Sequence, residues 1–103
     1  MFINSLQTTD DSMLFLEAEL STQTSALDIH GRSSREAETE IEGFLNERFL
    51  EGESVVKIIH GKGMGILQEL AERHLIAHPL VDDYQRASIG PDQGAAIYIK
   101  LRI

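Results

Sequence analysis

The sequence predicts an α/β fold, a two-layer sandwich with a βαβαββ element order. A mixed sheet of about four strands carries two helices. Three observations predict it. "ALDIH" at 26–30 alternates apolar and polar residues with the period of a strand, and Ser33 and Glu36 then form the S-x-x-E pattern of a helix start. "VVKII" at 55–59 is a short β-branched run that passes through three glycines into a second amphipathic stretch. Strand–helix–strand successions cross over right-handed, which lays both helices against the sheet.

In order along the chain, "MLFLEAEL" at 13–20 reads as a short helix or strand packed on the domain edge, and "LSTQTS" at 20–25 reads as a linker. Residues 1–25 are therefore expected to be an N-terminal extension, partly ordered at best, and 26–103 the domain proper. In the first strand, period 2 sets Asp28 and His30 on one face and Leu27 and Ile29 on the other. Gly31 ends that strand. The first helix follows, with Ala37, Ile41, Phe44, Leu45 and Phe49 at helical spacing and Gly52 placed to stop it. Its other face carries Glu38, Glu40, Glu42, Glu47 and Glu51, a solvated acidic surface.

The second strand is expected to be buried on both faces. In the second helix Ile66, Leu67, Leu70, Ala71 and Leu75 make the apolar stripe, and His78-Pro79 closes it, because proline disfavours helix before it. "LVDDYQRA" at 80–87 reads as a third strand and "SIGPDQG" as a turn. In the last strand Ile97, Ile99, Leu101 and Ile103 alternate with Tyr98, Lys100 and Arg102, which predicts a half-exposed strand.

Composition sets limits on function. The chain has 103 residues, enough for one domain, with ordinary hydrophobic and charged content. It has no apolar run near the roughly 20 residues of a membrane span and no secretory signal pattern. With no cysteine, disulfides and thiolate metal sites are excluded, which fits a cytoplasmic location. Net charge is −8; residues 1–25 hold four acids and no Lys or Arg. Such a chain lacks the broad basic surface that captures nucleic acid non-specifically, so a nucleic-acid role requires a local basic site.

Ligands of α/β sheets gather beyond the carboxyl ends of parallel strands, where both His30 and His60 fall. A glycine turn between a strand and a helix N-terminus is a natural anion site, built from free N–H groups and the helix dipole; Lys62 adds a cation. Neither the Walker A pattern nor G-x-G-x-x-G is present. On spacing alone, the loop is equally readable as a structural turn. Asp28 and His30 are spaced to touch one reacting group, the carboxylate orienting the imidazole, or else to act as a backbone cap and a satisfied edge residue. His74 and His78 have i, i+4 metal spacing, but no carboxylate shares their helix face. Tyr84 and Tyr98 are candidates to stack on bases, and Arg32, Arg35, Arg73 and Arg86 are candidate phosphate contacts.

"LDIHG" at 27–31, the Ser33–Glu36 helix start, "VVKIIHGKGMGIL" at 55–67 and "HPLVDDYQRASIGPDQGAAIYIKL" at 78–101 together resemble the small MutS-related (Smr) domain, over about 26–103. The resemblance implies a fold similar to the C-terminal domain of translation initiation factor 3, and a nucleic-acid endonuclease acting on RNA or DNA. It identifies Asp28 and His30 with the catalytic L-D-x-H pair. His60, Gly61, Lys62, Gly63 and Gly65 match the loop that holds the substrate backbone in the family; Arg32, outside both motifs, is added to the phosphate-binding set as a candidate contact. Met64 departs from the family pattern, where many members carry threonine. The expected partner is RNA or DNA, with the ribosome as a further candidate and no membrane. No cofactor and no metal are called for, since the sequence offers no carboxylate cluster for two-metal hydrolysis and RNA can be cut by its own 2′-hydroxyl. The alternative is a non-catalytic module of the same fold that binds nucleic acid, a ribosome or a protein.

Overall fold

The computed structural model describes residues 11–103. The elements are α1 (Ser12–Leu20), β1 (Ala26–Asp28), α2 (Ser34–Leu50), β2 (Val55–Ile59), α3 (Ile66–Ile76), β3 (Val81–Arg86) and β4 (Ala96–Leu101). Residues 1–10 of the predicted N-terminal extension lie outside the described residues. Within the extension, 12–20 is helical, and Phe15 and Ala18 are buried.

The four strands make one mixed sheet in the order β1-β2-β4-β3. β1 and β2 are parallel; β4 runs antiparallel to both its neighbours. β2 and β3, joined through α3, thus run in one direction but are not neighbours, because β4 inserts between them. Val81 and Asp83 flank a register shift in β3.

α2 begins where the sequence predicts. Ser33 Oγ accepts the Glu36 N–H at 3.1 Å and the Glu36 carboxylate accepts the Ser33 N–H at 2.9 Å, completing the capping box. Its buried face, Ala37, Ile41 and Leu45, meets Leu70, Ala71 and Leu75 of α3 and the inward residues of the strands, among them Ile29, Val56, Ile58, Ile97 and Ile99. Truncating a fully buried side chain such as Leu45 to alanine costs about 2–5 kcal/mol.

Two expectations are corrected. The two-layer, two-helix description omits α1, which packs on the opposite face of the sheet: Phe15 and Ala18 meet Ala87, Ala96 and Tyr98, flanked by Val55 and Ile59. The last strand is not half-exposed. β4 is interior to the sheet and covered on both faces, and Tyr98 keeps only 2% of its surface. Period-2 alternation cannot separate a solvated face from one covered by a distant helix.

Candidate active site

Register brings the two histidines together. Asp28 pairs with Ile59, and the Ile29 N–H donates to the Ile59 carbonyl at 2.8 Å, so β1 and β2 end side by side. Fully buried Ile29 anchors the chain between Asp28 and His30, which leaves both of those exposed. His30 stands in the turn past β1, since the strand stops at Asp28. The N–H groups of His60 and Gly61 both donate to the Ala95 carbonyl, at 2.8 and 3.0 Å, tying the glycine loop to the start of β4. Gly61 has φ +83°, and a Cβ there would stand 3.0 Å from the Cβ of His30. Glycine is needed at that position for both reasons.

His30 Nδ1 lies 2.6 Å from Asp28 Oδ1, and the same oxygen accepts the His30 N–H at 3.0 Å. These bonds, the imidazole first, hold the Asp28 carboxyl below its ordinary value, against a smaller opposing effect of burial. An ionised carboxylate only accepts, so Nδ1 carries the proton and Nε2 of neutral His30 is left as a base. His60, 7% exposed, sets its Nδ1 2.8 Å from the Gly61 carbonyl, so Nδ1 donates and Nε2 is the atom left to accept or carry a further proton.

Both imidazoles line a cleft of about 330 Å³, whose remaining wall is Gly31 and the run from Gly61 to Gln68. Gly65 caps α3 in the left-handed conformation and supplies no side-chain bond. The first bond into the helix is Glu69 N–H to the Gly65 carbonyl, so the N–H groups of Ile66, Leu67 and Gln68 have no acceptor within the helix. Lys62 lines this wall. The arrangement offers an anion a cation and a helix N-terminus, with two imidazoles within the same cleft.

Of the predicted site residues, His30, His60, Gly61, Lys62, Gly63 and Gly65 line the cleft, and Asp28 stands behind His30. Arg32 is not among the lining residues; its Nε binds the Glu40 carboxylate at 3.0 and 3.3 Å. Burial removes Tyr98 as a stacking platform, and Tyr84 packs against the main core. Arg73 pairs with Glu69 at 3.4 Å and Arg86 with Glu72 at 2.7 Å. The Ala95 carbonyl, which fixes the loop, left no trace in the sequence because its backbone alone does the work.

His74 and His78 do have a carboxylate, contrary to the expectation from their own helix face. Glu42 of α2 reaches across, with Oε1 2.9 Å from His74 Nε2 and 3.0 Å from His78 Nε2. The three ligand atoms lie within 4.8 Å of one another, close enough for an ion. Yet His78 Nδ1 accepts the Leu80 N–H at 3.1 Å, so its proton sits on Nε2 and points at Glu42. A metal would need that lone pair. The cluster is complete as a hydrogen-bonded clamp between α2 and α3.

The model of the Smr domain matches residues 27–102. "Endonuclease MutS2" of Caldicellulosiruptor saccharolyticus is 30% identical over 77 residues, 75% of this chain and 10% of that protein. "Endonuclease MutS2" of Helicobacter pylori is 37% identical over 75 residues, 73% of this chain and again 10% of the relative. The chain thus spans about a tenth of the length of these relatives. Among solved structures, the Smr domain of Thermus thermophilus MutS2 superposes with a TM-score of 0.69 at 27% identity, covering 78% of this chain and all of that one. YdaL, a stand-alone small MutS-related protein from Escherichia coli, gives 0.68 at 26% identity over 79% of this chain and 66% of its own.

Proposed function

The chain belongs to the Smr domain family, and on that premise we propose that it is an endonuclease domain that cuts RNA or DNA at the cleft between β1 and β2. One observation carries the reading: a carboxylate-oriented imidazole, His30, lines the same cleft as an uncapped helix N-terminus. The N–H groups at the start of α3 and the Lys62 ammonium receive a backbone phosphate. His30 Nε2 takes the proton of the attacking hydroxyl, and Asp28 holds the ring and stabilises the imidazolium that forms.

On RNA the attacker is the neighbouring 2′-oxygen. Its bond to phosphorus forms as the bond from phosphorus to the leaving 5′-oxygen breaks, and protonated His60 gives that oxygen its proton. The products are a cyclic phosphate and a free 5′-hydroxyl. This route asks nothing of a metal or cofactor. With a labelled RNA, His30→Ala is expected to cut cleavage by about 10²–10⁴-fold, in EDTA as well as in magnesium. Unchanged cleavage in that variant refutes the assignment.

A second reading, a non-catalytic module that docks on nucleic acid, a ribosome or a protein, draws on Met64. The side chain is 93% exposed at the rim and offers no hydroxyl. Salt-dependent binding of RNA without any cleavage of RNA or DNA favours this reading over the first.

A further inference from the structure

A second, smaller depression of about 270 Å³ adjoins the cleft and shares Gly65 and Gln68 with it, continuing the groove past the start of α3 to Arg86 on β3. Arg86 is held firmly there. Its Nε and Nη2 bind the two Glu72 oxygens at 2.7 and 3.0 Å, and a Gln68 amide with its oxygen turned inward accepts from the same edge at 2.9 and 3.2 Å. All of these bonds use the Nε–Nη2 edge. Among the described residues the Nη1 edge remains for another acceptor, on a side chain whose exposure is 67%. Glu72, mostly covered, serves to hold the guanidinium in place.

We propose that Arg86 is a second phosphate-binding residue, and that the site takes a single strand spanning at least two phosphates, one at the Lys62 loop and the next at Arg86. This rests on the phosphate-binding reading of the cleft and extends it. A planar guanidinium already oriented by a carboxylate loses little freedom when it meets a phosphate. Two features point to an unpaired strand. Cations along the groove are few in a chain of net charge −8, too few to follow both backbones of a duplex. Met64 and Ile66, 93% and 63% exposed, form an apolar rim to the cleft, suited to the face of an unstacked base.

The test is binding of a short fluorescein-labelled oligouridylate over a range of salt concentrations, made with a 2′-deoxy backbone that lacks the attacking hydroxyl of the RNA route and checked for intact length after each titration. Arg86→Ala should lower the slope of log Kd against log salt by about 0.7, the value of one phosphate contact on a single strand. Arg86→Lys, which keeps the charge, should retain most of it. Should Arg86→Ala unfold by orphaning Glu72, the double variant Arg86→Ala/Glu72→Gln removes that cost and gives the same reading. An unchanged slope in the Arg86→Ala chain, alongside a lowered slope in Lys62→Ala, overturns the Arg86 assignment and leaves the cleft reading standing. Binding that ignores salt in the unaltered chain overturns both.

Discussion

Gly61 is where the two motif-bearing loops touch, and the contact depends on an absent atom. Its left-handed φ and the 3.0 Å that would separate an added methyl from His30 act together. Gly61→Ala should lower stability by about 1–2 kcal/mol through backbone strain, read as a shift of the urea midpoint. It should also displace His30 from Asp28, visible as changed imidazole chemical shifts in NMR. Gly63 lacks both features, having an ordinary φ and open space around a would-be Cβ, so Gly63→Ala serves as the near-neutral comparison. The sequence marks three glycines alike; only backbone angles separate the one that is required from the one that is tolerated. Asp28 and His30 were legible as a pair because they lie two residues apart, although the strand ends at Asp28 and it is buried Ile29 that sets both toward solvent. Arg32 was not, since its partner Glu40 lies two helical turns into α2, and spacing says nothing about which way an arginine turns.

Among the elements, α2 and α3 are joined at their exposed side by Glu42, His74 and His78. The His74 hydrogen bond is the main cause that holds the Glu42 carboxyl below its ordinary value of 4.5, with burial opposing it. A carboxyl depressed on folding contributes stability that is fully present above the ordinary value. That contribution is lost as the pH falls through the folded-state value. Half-exposed, the group contributes only about 0–1 kcal/mol. Glu42→Gln should therefore leave a smaller decline in urea midpoint between about pH 5 and pH 3 than the unaltered chain shows. An identical decline in both would show that the clamp carries no pH-dependent stability. The clamp was half-legible: the i, i+4 histidines announce themselves, but a partner 32 residues away appears only once helix packs on helix. α1 shows the same limit. Its apolar run predicted a packed element, and Phe15 is indeed buried, yet nothing local tells which face of the sheet it covers.

At the scale of the molecule, the α/β class and element order followed from periodicity and punctuation, since each depends on neighbours along the chain. Strand order did not. β4 follows β3 through a short turn and then slips between β3 and β2, a long-range choice that residues 96–101 do not advertise. That insertion also supplies Ala95, whose carbonyl takes the His60 and Gly61 N–H groups. Because β4 also brings Ile97, Ile99 and Leu101 into the core, a chain ending before Ala95 should lose its cooperative urea transition and, with it, amide protection at His60 and Gly61. Protection retained in that truncated chain would overturn the dependence. The consequence reaches into biosynthesis. Both cleft motifs leave the ribosome well before the strand that fixes them, so the nascent chain holds its histidines unassembled until synthesis has passed residue 101. A half-made copy carries the residues of the cleft without the cleft itself.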